Sequence, residues 1–437
     1  MKPGDGLVGA ASAGDPYVPE SGNGGYRVDH YDLDLSYRPA TNLLSGRARL
    51  SVTATQGLER LSLDLVGLRV AKVSVNGKPV KKFANRSNKL VVSLRTAVAS
   101  GESFVIDVQY GGKPSPRKGV WGEIGWEELE SGVLVAGQPN GAPTWFPCND
   151  HPSEKATYRF AVATDSAYTV LANGTLVGHS VGGSRTQWVF EQPDPMATYL
   201  ATLQLGLYDE IVIGRHGVRQ LAAIPPRLRA EFSRAFARQP RMMAYFEEIF
   251  GPYPFASYTV VVTEDELEIP LEAHGISIFG VNHLHARHER LIAHELAHQW
   301  FGNSVSVGQW RHIWLNEGFA CYAEWLWSEA SGGTSADEQA AKHLARLRQQ
   351  PRDIVIGDPG PASMFDDRVY KRGALALHAL RRRVGDRPFF ELLTGWTAEN
   401  RHGVVTSEAF LDHAERAEPG SRALLVSWIF ERALPRS

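Results

Sequence analysis

The spacing of the hydrophobic residues changes once along this chain, and that change limits the folds that it can adopt. In YDLDLSY apolar and polar side chains alternate, which places Leu33 and Leu35 on one face of an extended segment. The same alternation recurs in RARLSVTA, LSLDL and FVIDVQY, as expected of strands with one buried face. Asn76-Gly77, inside VSVNGKPV, is a typical hairpin turn. We therefore expect an all-β domain over residues 26–212.

From about residue 225 onward the apolar residues are spaced by threes and fours, the period of an α-helix. PRLRAEFSRAFARQPRMMAYFEEIFG predicts one helix that ends at Gly251, and YTVVV predicts a short strand after it. Later segments predict further helices: RHERLIAHELAHQWFG, NEGFACYAEWLWSEASGG, SADEQAAKHLARLRQQP, YKRGALALHALRRRVGD and SRALLVSWIFERALP. The expected protein is multi-domain, with a flexible leader at 1–25, the N-terminal β domain at 26–212 and a mainly α-helical domain at 213–437.

Composition and charge exclude several classes of function. The chain of 437 residues has 46 Lys and Arg against 48 Asp and Glu, so it lacks the basic excess typical of nucleic-acid-binding proteins. No run approaches the roughly 20 apolar residues of a membrane span, and the N-terminus has no apolar core of a signal peptide. Two cysteines, Cys148 and Cys321, favour free buried thiols over a disulfide framework. We expect a cytoplasmic protein with neither a membrane nor a nucleic-acid partner.

The segment HELAHQW places His294 and His298 one helical turn apart on the same face. Two imidazoles can reach one cation, but a catalytic zinc site usually has three protein ligands and an open position. Glu317 follows in the next predicted helix, where the neighbours in WLNEGFA are apolar. Because a buried carboxylate needs a cationic partner, Glu317 is a candidate third ligand. The alternative interpretation is a surface helix that carries two solvated histidines.

HELAHQWFGNSV followed by WLNEGFA resembles the gluzincin aminopeptidases, the family of membrane alanyl aminopeptidase and leukotriene hydrolase. WFPCNDHPSEKATYRF is similar to the end of that family's β domain, FGPYPFASYTVVV to the entry of its thermolysin-like domain, and VYKRGALALHAL to the segment with its catalytic tyrosine. The resemblance implies a saddle-like β domain followed by a thermolysin-like, mainly α catalytic domain, with one zinc ion and aminopeptidase activity. We expect a short form of the family without the C-terminal helical domain of the larger members, and hence a more open cleft.

Residue by residue, the resemblance assigns the zinc site and the catalytic groups. His294, His298 and Glu317 correspond to the zinc ligands. Glu295 corresponds to the general base that accepts a proton from a zinc-activated water. Tyr370 corresponds to the tyrosine that donates a hydrogen bond to the oxyanion.

Two further residues correspond to substrate-binding positions. Glu272, in LEIPLEAHG, matches the glutamate that binds the ammonium group of the substrate, although Leu271 and Ala273 replace the family's Met and Asn. Gln138, in AGQPNGAPTW, matches a β-domain residue that contacts the first residue of the substrate. The family's Tyr-x-Lys-Gly pattern is also altered, because Arg372 replaces its lysine.

The substrate implied by the resemblance is a peptide with a free N-terminus. The altered motif around Glu272 leaves open a zinc hydrolase on the same scaffold that acts on an epoxide or an amide. A peptide-binding protein without activity is a third interpretation, which the complete set of ligand, base and tyrosine residues disfavours. Glu324, on the same predicted helix as Glu317, is expected to brace a ligand histidine through its second ring nitrogen.

Overall fold

The computed structural model describes residues 7–214 and 217–435, and the chain forms two compact units in it. The first unit ends at Asp209 and the second begins at Glu210. This division falls within a few residues of the boundary expected from the change in periodicity.

The N-terminal unit is built from β-strands. Over its described residues the strands are β1 (Tyr26–Arg38), β2 (Leu43–Ala54), β3 (Leu58–Asp64), β4 (Arg69–Val75), β5 (Lys78–Pro79), β6 (Lys82–Arg86), β7 (Lys89–Val98), β8 (Ser103–Gly112), β9 (Arg117–Gly119), β10 (Gly122–Leu129), β11 (Gly132–Ala136), β12 (Lys155–Asp165), β13 (Thr169–Ala172), β14 (Thr175–Gly182), β15 (Arg185–Ala197) and β16 (Leu203–Gly206). They form sheets of order β14-β15-β12-β1-β2-β8-β4-β5, β13-β16-β11-β10-β9 and β3-β7-β6.

Two local signals of the sequence are confirmed in this unit. Along β1 the apolar side chains face the core, with Leu33 and Leu35 at most 3% exposed, whereas Asp34 faces solvent. Asn76 and Gly77 have φ angles of 49° and 75° and join β4 to β5 as a hairpin. The left-handed backbone at both turn positions explains why Asn and Gly occur there.

Residues 7–25 pack on this unit, which differs from the flexible leader expected from composition. Tyr17 and Val18 are buried. The Gly22 backbone N–H and the Asn23 side-chain amide both donate to a carboxylate oxygen of Asp64, at 3.1 and 2.8 Å. The Gly- and Ser-rich composition of the segment could not predict this order, because the groups of the segment are hydrogen-bonded by a buried carboxylate about 40 residues away in the sequence. The first six residues of the expected leader lie outside the described residues.

The C-terminal unit combines a small sheet with helices. Over its described residues the elements are β17 (Asp209–Gly214), β18 (Arg219–Ile224), α1 (Arg229–Ala235), α2 (Gln239–Phe250), β19 (Ser257–Val262), β20 (Leu271–Ala273), β21 (Ile276–Phe279), α3 (Glu289–Ala297), β22 (Ser306–Val307), α4 (Trp314–Ala330), α5 (Ala336–Leu347), α6 (Asp367–Val384), α7 (Asp386–Glu399), β23 (Val404–Val405), α8 (Ser407–Ala417) and α9 (Ser421–Ile429). Strands β17-β18-β19-β21-β20 form one sheet and β22-β23 another. None of the helices over 7–214 and 217–435 has the length and hydropathy of a membrane span.

The prediction of a single helix that ends at Gly251 is wrong in one respect, because the structure has two helices in this segment. The chain leaves α1 after Ala235 and re-enters a helix at Gln239. Pro240 lies in the first turn of α2, where a backbone N–H has no intrahelical partner and its absence costs no hydrogen bond. In the interior of one continuous helix the same proline would remove a hydrogen bond and break the helix. The predicted stop is confirmed, since Gly251 caps α2 with a φ of 90°.

Helices α4 and α6 cross with their backbones in contact. A Cβ atom added to Gly373 would lie 2.8 Å from the Cα of Gly318, and one added to Gly318 would lie 2.9 Å from the Cα of Gly373. Real Cβ atoms essentially never approach so closely, so glycine at both positions permits this crossing. Because α4 carries Glu317 and α6 carries Tyr370, the crossing sets the distance between two of the candidate site residues.

The substitution Gly373→Ala tests this crossing. We expect it to lower the free energy of unfolding by about 1–2 kcal/mol, since overpacking outweighs the better helix propensity of alanine. The matched control is Gly395→Ala in α7, where a new Cβ would meet its nearest neighbour at an ordinary 3.6 Å. Calorimetry of both variants should show a lower Tm for the first only. An unchanged Tm for Gly373→Ala would mean that α6 can move away from α4 at no cost.

Candidate metal centre

Helix α3 presents two histidines on one buried face. His298 follows the last residue of α3 but keeps helical backbone angles of −56° and −24°, and its N–H donates to the His294 carbonyl at 3.1 Å. The two imidazole centroids are 4.7 Å apart, and the residues are 8% and 1% exposed. The helical spacing therefore brings both rings to one place, as the sequence predicts.

Helix α4 brings a carboxylate to the same place. An oxygen of Glu317 lies 3.4 Å from the Nε2 atoms of both His294 and His298. One ligand atom from each of these three residues lies within 4.8 Å of the others, and all three residues are buried. Two imidazole nitrogens and one carboxylate oxygen are the donors found around catalytic zinc.

Electrostatics shows how strongly these three groups interact without a cation between them. Burial alone would raise the pKa of Glu317, but the imidazoles of His298 and His294 lower it to about 2. Burial would lower the pKa of His298, but the carboxylates of Glu317 and Glu272 raise it to about 10. Burial would also lower the pKa of His294, but its hydrogen bonds to the carboxylates of Glu317 and Glu324 raise that pKa to about 9. The carboxylates thus attract protons onto imidazoles that a metal ion would require in the neutral form.

The second ring nitrogen of each histidine is held by an acceptor. His294 Nδ1 donates to Glu324 Oε1 at 2.9 Å, and the other oxygen of Glu324 accepts from Arg290 at 3.2 Å. His298 Nδ1 donates to the carbonyl of Phe301 at 3.0 Å. These bonds place the ring proton on Nδ1 and direct Nε2 toward Glu317, which is the tautomer that a metal ligand needs. The contact expected of Glu324 is therefore present.

Sequence reasoning missed Arg290 and the carbonyl of Phe301. Arg290 lies four residues before His294 and so on the same helical face, which is a signal that the sequence contains. The Phe301 carbonyl has no such signal, because any residue supplies a main-chain acceptor.

Glu295 has a carboxylate oxygen that its surroundings leave unpaired. The residue is 4% exposed, and its Oε2 atom has no hydrogen-bond partner among the described residues. Burial raises the pKa of Glu295 to about 8, with His294 acting in the opposite direction. Buried carboxylate oxygens are nearly always paired, so a ligand that offers a proton or a positive charge at this oxygen would fit the site.

Tyr370 and Glu272 lie close to the same centre. The Tyr370 ring is 6.0 Å from that of His294, and the charge of Glu317 acts on its hydroxyl. Burial, followed by the charge of Glu317, raises the pKa of Tyr370, so the phenol keeps its proton. Glu272 lies on β20, at the edge of its sheet; burial raises its pKa, and the charge of His298 partly offsets that effect.

Gln138 lies in the N-terminal unit, in the turn that follows β11, and its side chain is half-buried. It is therefore not among the residues that α3, α4, α6 and β20 bring together. Its contact with the substrate stays a prediction.

Two family models together match most of the chain. The Peptidase M1 N-terminal domain matches residues 27–200, and the Peptidase family M1 domain matches residues 234–432. The chain belongs to peptidase family M1. The resemblance to the gluzincin aminopeptidases is confirmed, as is the order of an all-β domain before a mainly helical one.

Relatives of this M1 chain include aminopeptidases and a zinc metallopeptidase. Leucyl aminopeptidase of Saccharolobus solfataricus is 27% identical over 396 residues, which cover 83% of this chain and 48% of the relative. Aminopeptidase M1-A of Oryza sativa is 26% identical over 450 residues, 93% of this chain and 50% of the relative. This chain thus spans about half the length of the curated relatives that it matches.

Solved structures match over nearly the whole length of both chains. The crystal structure of an M1 zinc metallopeptidase from Deinococcus radiodurans has a TM-score of 0.89 and 31% identity, and covers 97% of this M1 chain and 99% of its own. A mutant of that protein bound to a Tyr-Ser-Ala substrate matches with a TM-score of 0.90, and the match again covers 97% of this chain and 99% of its own.

The raised pKa values of the two histidines predict how pH acts on the metal-free M1 chain. Both values lie above the ordinary 6.5, so protonated imidazoles stabilise the fold at low pH. That contribution is lost as the pH rises through about 9 to about 10. In the presence of a chelator, the Tm should therefore fall from pH 7 to pH 10 by more in the wild type than in a His294→Gln/His298→Gln variant. Equal slopes for the two proteins would contradict this description of the cluster.

Proposed function

We propose that this M1 chain is a zinc-dependent aminopeptidase that hydrolyses the N-terminal peptide bond of peptides. The observation that carries the proposal is the buried cluster of His294, His298 and Glu317 beside the unpaired oxygen of Glu295. The names of the relatives support it, since they include aminopeptidases and a zinc metallopeptidase with a bound tripeptide substrate. Cys148 and Cys321 are both free and buried, which supports a reducing compartment such as the cytoplasm.

One zinc ion would be held by His294, His298 and Glu317. When bound, zinc lowers the pKa of a water molecule toward about 7 and polarises the scissile carbonyl. Two imidazoles and one carboxylate are the kind of donor set that holds zinc in other catalytic sites. The carboxylate of Glu317 offsets one of the two positive charges, and Glu324 and the Phe301 carbonyl keep the imidazoles in the required tautomer.

Glu295 is the proposed general base. It follows the ligand His294 in the chain, and its unpaired oxygen is free to accept a proton from the attacking water. The same carboxyl group then delivers that proton to the leaving amine, which completes the transfer within one turnover. A carboxyl group whose pKa lies near the working pH suits both steps, and burial shifts Glu295 in that direction.

Tyr370 is the proposed donor to the oxyanion. Its phenol keeps its proton near neutral pH, and the hydroxyl already lies at the Glu317 side of the cluster. A donor directed at the carbonyl oxygen of the substrate strengthens its hydrogen bond as negative charge develops there. The effect of removing such a donor is typically about 3–4 kcal/mol in the activation free energy.

Glu272 is the proposed recognition group for the free N-terminus. It is partly exposed on the edge strand β20, and its charge acts directly on His298. A carboxylate beside the ligands would bind the α-ammonium group of the residue that carries the scissile carbonyl. Binding of that group at Glu272 would restrict cleavage to the first peptide bond. Gln138 is proposed to contact the same first residue of the substrate.

The variant Glu295→Gln tests the general base. We expect kcat for an aminoacyl arylamide to fall by about 10²–10⁴-fold, because an amide cannot accept the proton from water. Zinc content, measured by atomic emission, should stay at the wild-type value since Glu295 is not a proposed ligand. The matched control is Glu391→Gln on α7, an exposed acid that pairs with Arg387 and should leave kcat unchanged. Substantial activity in a zinc-loaded Glu295→Gln protein would contradict this role.

The variant Glu272→Gln separates the aminopeptidase from the alternative zinc hydrolase. If Glu272 binds the substrate ammonium, its loss should raise KM for arylamides with a free amine about tenfold or more, as expected for a lost charge-assisted hydrogen bond. Arylamides with an acetylated amine should remain uncleaved by both proteins. Exposed Glu268 supplies the control, as Glu268→Gln. A zinc-loaded wild type that cleaves no arylamide, yet opens an epoxide or cleaves another amide, would favour the alternative.

A further inference from the structure

Arg372 is a buried cation on α6, and over the described residues its hydrogen bonds all go to main-chain carbonyls. It is 4% exposed. Its Nε atom donates to the Trp428 carbonyl at 2.6 Å, and its terminal nitrogens donate to the carbonyls of Ser427, Glu431, Arg432 and Ala433. Burial lowers its pKa to about 10, which still leaves the guanidinium charged near neutral pH.

These carbonyls belong to the end of α9 and to the segment that follows it. Helix α9 ends at Ile429, so its last carbonyls have no intrahelical partner and carry the negative end of the helix dipole. A guanidinium presents five N–H groups in one plane, which matches such a set of acceptors. Arg372 therefore clasps the C-terminal end of α9 onto α6; we call this set of contacts the α9 clasp.

The clasp acts on the same part of α6 that carries Tyr370. At 3.6 residues per turn, Arg372 points about 200° around the helix from Tyr370, and Gly373 points about 300° around it. One side of α6 is thus held against α4 by the Gly318–Gly373 contact, and another side is held by α9. Two contacts on different sides of a helix fix its rotation about its own axis.

We propose that Arg372 is a positioning residue: through the α9 clasp it fixes the rotation of α6 that directs the Tyr370 hydroxyl toward Glu317. The inference rests on the proposed function, because it requires that the Tyr370 hydroxyl act in the reaction. Over the described residues, the hydrogen bonds of Arg372 go to the main chain of residues 427–433, so Arg372 would act on the reaction through Tyr370. Lysine at this position would keep the charge but offers donors from one nitrogen, so it cannot satisfy the same acceptors.

The experiment compares kcat and KM of the zinc-loaded wild type, Arg372→Lys, Tyr370→Phe and the double variant on one aminoacyl arylamide. We expect Arg372→Lys to lower kcat about tenfold, with KM and zinc content unchanged, because a displaced catalytic group loses rate rather than substrate affinity. In the Tyr370→Phe background the same substitution should cause no further loss, since residues that act through one another are not additive. Arg382→Lys, at an exposed arginine of α6, is the control and should change neither constant.

A second variant tests the clasp without altering Arg372. Glu431, Arg432 and Ala433 are all exposed, so replacing the three with glycine loosens their carbonyls and leaves the core intact. This triple variant should lower kcat in the wild-type background and not in the Tyr370→Phe background. If Arg372→Lys does not fold, the triple variant alone tests whether the α9 clasp positions Tyr370.

The outcomes distinguish this inference from the proposed function. If the wild type is active and Tyr370→Phe is impaired, but Arg372→Lys and the triple variant cause equal losses in both backgrounds, or none, Arg372 has only a structural role and the inference is overturned. If the zinc-loaded wild type cleaves no arylamide, or Tyr370→Phe is fully active, the assignment of the activity or of Tyr370 fails and the inference fails with it.

Discussion

The carboxylate of Glu317, held between two imidazoles in a buried site, is the interaction on which the rest of the catalytic unit depends. It lies 3.4 Å from both Nε2 atoms and is 3% exposed, so it has no access to bulk water that would stabilise its charge. Desolvation of a carboxylate is costly, and only positive charge at short range offsets it. Protons supply that charge in the metal-free chain, and a divalent cation supplies it more completely. The buried carboxylate thus makes the cluster a favourable site for a cation.

The surrounding helices serve to keep that carboxylate in place. The four-residue spacing on α3 sets the separation of the histidines, and the glycine contact between α4 and α6 sets the distance from Glu317 to Tyr370. Hydrogen bonds behind the histidines, from Glu324 and the Phe301 carbonyl, fix the orientation of the rings. Most of this geometry therefore rests on buried helical residues, with the Phe301 carbonyl supplied by the turn after α3.

The sequence predicts the parts of this structure that depend on local periodicity. The alternation in β1, the Asn76-Gly77 hairpin and the pairing of His294 with His298 all follow from spacing alone. Short strands such as β20 and β22 escape detection because three or two residues define no period. The packed segment 7–25 and the α9 clasp escape it as well, because several of their contacts involve main-chain groups, which leave no pattern in the sequence.

The most direct test of this cation site is crystallography of the chain after addition of one equivalent of zinc, with diffraction recorded on both sides of the zinc absorption edge. We expect one anomalous peak per chain, at about 2.0–2.2 Å from an Nε2 atom of each histidine and an oxygen of Glu317. The peak should disappear in a Glu317→Ala protein treated in the same way. A peak at other residues, or a full-occupancy peak that survives the loss of Glu317, would contradict the assignment of the site.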